Sequence, residues 1–415
     1  MDAFVINTGS ELLLGDVLNT HLQFIAREIF ALGAHVTQQV TVPDGPAIRD
    51  ALEDALAQAE LVFVTGGLGP TTDDITRETA AELLGIELSE DPETAAAITL
   101  RLRTRGFPMT DRILRQAQVP AGATVLPNAN GTAPGLYLPA ANIASGRRAH
   151  LFLLPGPPRE LHPMFRESVL PILHSIVPAR STISRTFRLT SIGESVVEAA
   201  VGEQLLALPQ MELGYCAHAG SVDVRVIGPA ETVRAAEAVL TAAFPSAIFS
   251  SSGETLEQVV VRLLVETGGT VAVAESCTGG FLSHRLTNVP GASAVFLAGY
   301  ISYSNAAKTA SLGVDPKLIA AHGAVSEAVA RAMASGALRK ADARFALATT
   351  GIAGPAGGTP EKRVGTVFIG LAAHDGEAEV LHRVFQSDRE TFKQLASQAA
   401  LDLLRQRLLR SARTE

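Results

Sequence analysis

A serine, a tyrosine and a lysine lie close enough along the C-terminal part of the chain to form a nucleophilic site. Ser276 follows the apolar segment 270–275 and precedes two glycines, so the pattern predicts a strand-to-helix turn that presents its hydroxyl. Lys308 would lie in the first turns of the helix after Tyr303, and a lysine can deprotonate a serine when burial lowers its pKa. Taken singly, Ser276 is better explained as a helix cap and Lys308 as a surface residue.

The glycine-rich segment 351–360 favours a catalytic role for Ser276 and Lys308 over these structural roles. It follows an apolar run and contains more glycine than a routine connection needs, so it is suited to hold a phosphate or to cover a site. Cys277 is a rival nucleophile, but nothing near it in the sequence would clearly lower its pKa, and we interpret it as a buried neighbour. His284 and His322 have no evident partners in the sequence. A serine–lysine pair is therefore favoured over a serine–histidine triad.

A second candidate site begins with a glycine-rich loop in the N-terminal half. The loop follows the apolar run 61–65 and contains Gly66, Gly67, Gly69 and Thr71. Backbone N–H groups of such a loop can approach a phosphate closely, and the following helix adds the positive end of its dipole. The loop is neither a Walker loop nor GxGxxG, so no named motif applies.

Carboxylates surround this loop in the predicted topology. Asp73 and Asp74 precede one helix, Asp44 precedes another, and Glu11 and Asp16 follow the first strand. All lie beyond the carboxyl ends of predicted parallel strands, where open α/β sheets bind ligands. Carboxylates beside a phosphate loop suit a hydrated Mg²⁺ that bridges to a diphosphate. Taken alone, Asp44 and one of Asp73 and Asp74 could equally be helix N-caps.

The elements that must position these side chains fall into three regions. The first alternates strand and helix, which favours a parallel sheet covered on both faces. Its predicted strands are 3–8, 35–42, 61–65 and 151–154, and its predicted helices are 19–33, 47–58 and 75–85. After a predicted linker at 177–184, a β-α-β-β-α pattern occupies 185–190, 193–207, 211–216, 221–227 and 230–243.

The third region is a further α/β pattern. Its predicted strands are 270–275, 294–302, 344–350, 364–371 and 378–384, and its predicted helices are 254–267, 277–287, 304–312, 326–339 and 389–411. The fold class is therefore α/β, with two parallel-sheet domains joined by a small α+β module. We place the domains at 1–176, 177–250 and 251–415. The small module lacks a GXXG clamp and is acidic, so a spacer or dimer-positioning role is favoured over RNA binding.

Composition narrows the function classes. The 415 residues include 34 Lys and Arg and 42 Asp and Glu, which gives a net charge of −8. This charge disfavours electrostatic binding of nucleic acid or anionic membrane by the protein surface as a whole. Two cysteines exclude a disulfide framework and fit a reducing compartment. The start of the chain lacks a basic region followed by an apolar one, and no segment reads as a membrane span. We expect a cytoplasmic enzyme, and a homodimer by default.

Four blocks of the N-terminal half resemble the CinA (competence/damage-inducible) family: Gly9–Gly15, Thr65–Asp74, Asn130–Gly135 and Leu154–Glu160. The N-terminal domain of that family is similar to the molybdopterin-binding fold and is associated with metal-dependent hydrolysis of ADP-ribose to AMP and ribose 5-phosphate. The resemblance implies a divalent metal, Mg²⁺ or similar, at Asp44, Asp74 and Glu11. It also implies substrate contacts from the glycine loop, Asn130 and Glu160. Ser10 stands where threonine is expected, a change between small hydroxyl residues.

Six later blocks are similar to the C-terminal domain of the same family: Ala274–Gly280, Tyr303–Lys308, His322–Ser326, Thr350–Pro355, Val364–Val367 and Asp388–Arg389. Members of this type hydrolyse the amide of nicotinamide mononucleotide to the acid and ammonia, without a cofactor. The blocks of both halves occur in the family's order, so the resemblance covers nearly the whole chain.

The resemblance and the residue chemistry together imply a set of roles. Ser276 would attack the carboxamide carbon, Lys308 would be the base, and Tyr303 would position this pair or the leaving ammonia. Arg389 would bind the nucleotide phosphate, because a guanidinium can do so bidentately. Oxyanion and phosphate contacts are expected from Thr278, Gly279, Gly280, Thr350, Gly351 and Gly354.

Two other functions remain open from the sequence. The N-terminal domain could bind a pterin or nucleotide without turnover, as a sensor. The chain could also be a protein-interaction factor in competence or the DNA damage response, although its acidic balance speaks against direct DNA contact.

Overall fold

A computed structural model describes residues 1–140, 149–178, 182–374 and 376–411. The chain forms two compact units, Met1–Ser181 and Thr182–Glu415. Of the predicted linker 177–184, residues 179–181 lie outside the described residues. Residues 182–184 already belong to the first strand of the second unit. No described helix is both long enough and apolar enough to cross a membrane.

The first unit is built on a six-stranded sheet and a separate pair of short strands. The strands of this unit are β1 (Asp2–Thr8), β2 (His35–Val42), β3 (Leu61–Thr65), β4 (Leu88–Glu90), β5 (Gln118–Pro120), β6 (Thr124–Leu126), β7 (Gly135–Leu138) and β8 (His150–Leu154). Its helices are α1 (Ser10–Leu14), α2 (His21–Phe30), α3 (Ala47–Gln58), α4 (Thr76–Leu84), α5 (Pro92–Arg105), α6 (Asp111–Leu114), α7 (Pro158–Met164) and α8 (Leu170–Ile176). The sheet order is β2-β1-β3-β8-β7-β6, and β4 pairs with β5 separately.

The central strands of this sheet are buried on both faces, as the sequence predicts. Along β1, Phe4 and Ile6 pack into one apolar cluster, whereas Ala3 and Val5 pack into the other. Such two-sided burial is typical of parallel strands covered by helices. The parallel part comprises β2, β1, β3 and β8. The ends of these strands therefore share one edge, where the glycine loop begins.

The second unit contains two sheets. Its strands are β9 (Thr182–Thr190), β10 (Glu212–His218), β11 (Ser221–Pro229), β12 (Ile248–Ser250), β13 (Val271–Glu275), β14 (Phe296–Ile301), β15 (Phe345–Gly351), β16 (Thr366–Ala373) and β17 (Gly376–Val384). Its helices are α9 (Glu194–Leu206), α10 (Ala230–Ala243), α11 (Leu256–Glu266), α12 (Phe281–Thr287), α13 (Asn305–Leu312), α14 (Pro316–His322), α15 (Glu327–Ala341) and α16 (Arg389–Ser411). The sheet orders are β10-β11-β9-β12 and β14-β13-β15-β16-β17.

The α/β class is confirmed, but the prediction of purely parallel sheets is wrong. In the first unit β7 is antiparallel to β8 and β6 is antiparallel to β7. In the second, β16 and β17 are antiparallel to the strands before them. The reason lies in the connections: a parallel neighbour needs a crossover of a dozen or more residues, usually a helix. No helix lies between β15 and β16, and only two residues separate β16 from β17.

Candidate active sites

The nucleophile candidate of the second unit lies at the end of β13, between two parallel neighbours. Ser276 is 8% exposed, and its N–H donates to the Thr349 carbonyl of the adjacent β15 over 2.9 Å. On the other side, β14 leads into α13, which carries Lys308. The Lys308 Nζ lies 3.0 Å from Ser276 Oγ. The structure thus brings together two residues that are 32 positions apart in sequence.

The lysine occupies a site where the neutral amine is favoured. Lys308 is 1% exposed, and burial lowers its pKa. Its Nζ also contacts the carbonyl oxygens of Ser302 and Tyr303, at 3.0 and 3.4 Å. A neutral amine has two N–H donors and one lone pair. When the two donors point to the two carbonyls, the lone pair is left for the Ser276 hydroxyl, which is the orientation a general base requires.

Tyr303 and Arg389 form the outer part of the same site. Arg389, at the start of α16, donates to the Tyr303 hydroxyl over 2.8 Å and to the Gly354 carbonyl over 3.0 Å. Tyr303 is 61% exposed, so its ring faces solvent rather than the core. The guanidinium therefore links the tyrosine to the glycine-rich segment predicted to cover the site.

A cleft of about 230 Å³ connects these groups. Of the residues predicted from sequence, Ser276, Tyr303, Lys308, Thr350, Gly351 and Arg389 line it. Asn305 also lines it, and sequence reasoning missed this residue although it lies inside the block Tyr303–Lys308. Thr350 donates its hydroxyl to the Ala324 carbonyl over 2.8 Å, which fixes this side chain at the cleft wall.

The turn after the nucleophile differs from the prediction. Thr278, Gly279 and Gly280 do not line the cleft. The Gly279 N–H donates to the Ser276 carbonyl, and the Gly280 N–H donates to the Glu275 carboxylate. These two N–H groups are therefore unavailable to a substrate. The prediction that they stabilise an oxyanion or a phosphate is wrong.

Thr278 and Gly354, which were predicted to contact the substrate, make contacts within the protein instead. Thr278 is fully buried, with its hydroxyl 2.7 Å from that of Thr349. Gly354 does not line the cleft, and its carbonyl accepts a hydrogen bond from Arg389.

Cys277 is 5% exposed, and burial raises the pKa of its thiol to about 12. A thiol in that environment is protonated at neutral pH, which supports the interpretation of Cys277 as a buried neighbour.

The first unit has a larger cavity, of about 500 Å³, at the carboxyl edge of its parallel strands. The predicted residues that line it are Glu11, Asp44, Gly66, Gly67, Gly69, Asp74, Asn130 and Glu160. Gly67 has a φ of +67°, and a Cβ there would lie 2.0 Å from Thr76 Oγ1. The loop conformation thus requires glycine at this position, both for backbone freedom and for space.

Asp44 and Asp74 are not the N-caps of the helices that follow them, α3 and α4. The N-cap residues of α3 and α4 are Pro46 and Ile75, neither of which makes a side-chain cap hydrogen bond. The Asp44 carboxylate instead accepts the Ser10 N–H over 3.2 Å. Asp74 accepts the Thr71 N–H over 2.9 Å and also the Thr71 hydroxyl. Thr71 does not line the cavity, and its contribution is to hold Asp74.

The cavity combines negative charge with two arginines. Burial raises the pKa of Asp44, and the negative charges of Glu11, Asp73 and Asp74 act in the same direction. Arg105 and Arg159 line the cavity as well, and sequence reasoning did not single them out.

Asn128, a further residue missed from sequence, builds the turn beside Glu160. Its side-chain oxygen accepts the N–H groups of Asn130 and Gly131, at 3.0 and 2.7 Å. Its amide nitrogen donates to the Glu160 carboxylate over 2.9 Å. Asn128 therefore connects the two predicted substrate contacts, Asn130 and Glu160, across the cavity wall.

The donor set fits a hydrated cation shared with a substrate rather than an all-protein cage. Among the residues that the structure describes, no three His, Cys, Asp or Glu groups are arranged to hold one metal ion. Mg²⁺ usually keeps several waters and binds through one or two carboxylates and substrate phosphates. Glu11, Asp44, Asp73 and Asp74, which line the cavity together, meet that requirement.

Comparison with known proteins identifies the family. Residues 4–175 match a probable molybdopterin binding domain, residues 184–244 the damage-inducible protein CinA KH domain, and residues 253–408 the CinA C-terminal domain. A CinA-like protein of Akkermansia muciniphila is 42% identical, with 96% of this chain and 95% of that protein covered. The chain belongs to the CinA family. A CinA-like protein of Chlorobaculum tepidum is 45% identical, with 97% of each chain covered.

Solved structures of CinA proteins match a smaller part of the chain. The competence/damage inducible protein CihA from Agrobacterium tumefaciens is 37% identical, covers 37% of this chain and 97% of its own, and has a TM-score of 0.35. The resemblance stated from the sequence blocks is confirmed by the family matches. The first unit of this CinA protein is a molybdopterin-binding-like domain.

Proposed function

We propose that the second unit hydrolyses the carboxamide of nicotinamide mononucleotide to the carboxylic acid and ammonia. One observation carries the proposal: a fully buried lysine whose amine lies 3.0 Å from the hydroxyl of Ser276. Because burial lowers the pKa of Lys308 and both N–H donors of its neutral amine have carbonyl partners, the lone pair of that amine can accept the serine proton. No cofactor is needed for this chemistry.

The reaction proceeds in two halves. Ser276 Oγ attacks the carboxamide carbon while its proton passes to Lys308 Nζ, and the tetrahedral intermediate collapses when Lys308 returns that proton to the leaving amine. Ammonia departs, and the nicotinoyl group stays on Ser276 as an ester. Lys308 then takes a proton from an attacking water, and the Ser276 oxygen leaves with that proton, which restores the site.

The outer residues are assigned to substrate recognition. Arg389 lies at the cleft mouth with its guanidinium shared between Tyr303 and Gly354, so a phosphate can reach it. Tyr303 lines the cleft beside the serine–lysine pair and is assigned to position the ring or the leaving ammonia. Asn305, with both an amide donor and an acceptor, is a further candidate contact for the nucleotide.

Ammonia release from nicotinamide mononucleotide tests this proposal. We expect the purified full chain to be active and Ser276→Ala to lose activity by about 10³-fold or more. Ser335→Ala, on α15 outside the cleft, is the matched control and should keep full activity. Full activity in a folded Ser276→Ala variant contradicts the mechanism.

For the first unit we propose hydrolysis of the diphosphate of ADP-ribose to AMP and ribose 5-phosphate. The glycine loop and the carboxylates Glu11, Asp44 and Asp74 line one cavity, which supports a site for a diphosphate with a divalent cation. The cation would neutralise and polarise the diphosphate. Asp44 and Asp74 would hold it, Glu11 would bind its water shell, and the loop glycines would let the backbone approach the phosphates.

AMP production from ADP-ribose, with Mg²⁺ and with excess EDTA, tests this second activity. We expect activity to require the metal and to fall at least about 100-fold in Asp44→Asn. Asp50→Asn, an exposed carboxylate on α3, is the control and should behave as wild type. Activity that persists in EDTA contradicts the metal role. Binding of ADP-ribose without AMP formation would favour the sensor function instead.

A further inference from the structure

The residue immediately before the nucleophile is a buried carboxylate with an unusual set of partners. Glu275, the last residue of β13, has no exposed surface. Its Oε2 accepts the N–H groups of Gly280 and Leu282, each over 3.0 Å. Its Oε1 accepts the N–H and the hydroxyl of Ser283, over 2.8 and 2.6 Å. The side chain thus reaches across the turn that contains Ser276 and binds the start of α12.

The main chain of the same residue is connected to the base. The Glu275 carbonyl accepts the Ser302 N–H over 2.8 Å. The Ser302 carbonyl in turn accepts a hydrogen bond from Lys308 Nζ over 3.0 Å. Glu275 therefore contacts both the turn that presents the nucleophile, Ser276, and the strand end that holds the base.

We propose that Glu275 is the positioning residue of the serine–lysine pair. Its carboxylate closes the turn after Ser276 into one conformation, in which Ser276 Oγ meets the amine of Lys308. It also occupies the N–H groups at the start of α12, so this helix end is closed to the substrate phosphate. The inference rests on the proposed nucleophilic role of Ser276 and adds the group that sets its geometry.

Substitution by glutamine separates this role from packing. Glu275→Gln keeps the size of the side chain, but its NH₂ group would face N–H or O–H donors that need an acceptor. At least one donor is then unsatisfied, and the turn must shift. Because a displacement of about 1 Å in a reacting group can cost about 100-fold in rate, we expect kcat to fall about 30- to 100-fold while KM changes less than about threefold.

Two readouts on the full chain test the proposal. The first is ammonia release from nicotinamide mononucleotide, analysed as kcat and KM. The second is the rate at which a small sulfonyl fluoride labels Ser276, followed by mass spectrometry, which reports on the nucleophile without the natural substrate. Asp402→Asn is the matched control, because Asp402 is also a buried carboxylate with several donors but lies in α16, outside the cleft. Its labelling rate should equal that of wild type.

The outcomes are distinct. Slow labelling and a low kcat in folded Glu275→Gln, with Asp402→Asn unchanged, support the proposal. Equal labelling of wild type and Glu275→Gln overturns it and leaves the proposed deamidase intact. A wild type that is neither labelled nor active removes the nucleophile and the inference together. If Glu275→Gln does not fold, Ser283→Ala removes one donor and should slow labelling about three- to tenfold, and an unchanged rate again overturns the proposal.

Discussion

Replacement of Lys308 by methionine isolates the chemistry of the buried amine from its packing. Methionine has a similar length and fills the same space, but it cannot accept the Ser276 proton. General base catalysis contributes about 10²–10⁴-fold, which corresponds to roughly 2.7–5.4 kcal/mol on the barrier. We therefore expect Lys308→Met to lose at least about 100-fold in kcat for ammonia release from nicotinamide mononucleotide.

The stability change should be much smaller than the change in rate. The variant loses the donors to the Ser302 and Tyr303 carbonyls, and each net hydrogen bond is worth about 1 kcal/mol. Removal of a buried amine offsets part of that loss. A net loss of at most about 2 kcal/mol leaves a domain of ordinary stability folded, so thermal unfolding should show a shift of about 8 °C or less.

The pH dependence gives the same prediction a second test. The folded pKa of Lys308 lies below that of an unfolded lysine, so the protonated form is disfavoured in the fold. As pH falls through the folded pKa, the base is lost and wild-type kcat/KM should fall tenfold per pH unit. Stability should also decrease as pH falls from the unfolded lysine pKa towards the folded one. Lys308→Met should lack both trends.

One result would contradict the assignment of Lys308 as the base. If folded Lys308→Met keeps more than about a tenth of wild-type kcat, or shows the same pH–rate profile, then Lys308 is not the base. Ammonia release across pH, with thermal unfolding of both proteins under each condition, decides the matter.

Three further predictions concern other positions. Arg389→Leu should raise KM for nicotinamide mononucleotide by about 10- to 100-fold with a smaller effect on kcat, because it removes a charge-assisted phosphate contact. Steady-state kinetics measure both constants, and a decrease mainly in kcat would contradict this role. Gly67→Ala should lower the free energy of unfolding by about 2–4 kcal/mol because its Cβ meets Thr76, whereas Gly85→Ala, at a similar φ but in open space, should cost about 1 kcal/mol by thermal melt. Cys277→Ala should keep deamidase activity within about threefold, and a 100-fold loss would make the thiol the nucleophile.

Elements with strong local signals could be predicted from the sequence. The strands β1, β3, β13 and β15 are continuous apolar runs because both faces of each are buried, and α3 lies at the predicted residues. The antiparallel pairing of β16 and β17 could also have been predicted, because the connection between the predicted strands 364–371 and 378–384 is too short for a crossover. The short strands β4–β7 and helix α14 were not predicted, because each has too few residues for periodicity to appear.

The serine–lysine pair could be predicted because each residue lies at the end of a strand or the start of the next helix. Parallel neighbours β13 and β14 bring such positions together, so a separation of 32 residues becomes a 3.0 Å contact. The carbonyl oxygens around Lys308 have no signal in the sequence, since any residue supplies a carbonyl. The start of α12 was predicted about four residues too early, because the fold of that turn depends on where the Glu275 side chain points.

Two glycine-containing turns are thus arranged differently in the two units. Each follows a buried parallel strand, and each is rich in glycine. In the first unit the carboxylate comes after the loop, at Asp74, and the glycines of 65–69 line the cavity. In the second the carboxylate comes before the turn, at Glu275, and accepts the N–H groups of Gly280 and Leu282. The group of this turn that the substrate can reach is the Ser276 hydroxyl. In the second unit the residues after the nucleophile are therefore closed to a phosphate, and Arg389 and Gly351 are the groups of the cleft that can reach one, whereas in the first unit the loop glycines themselves line the cavity.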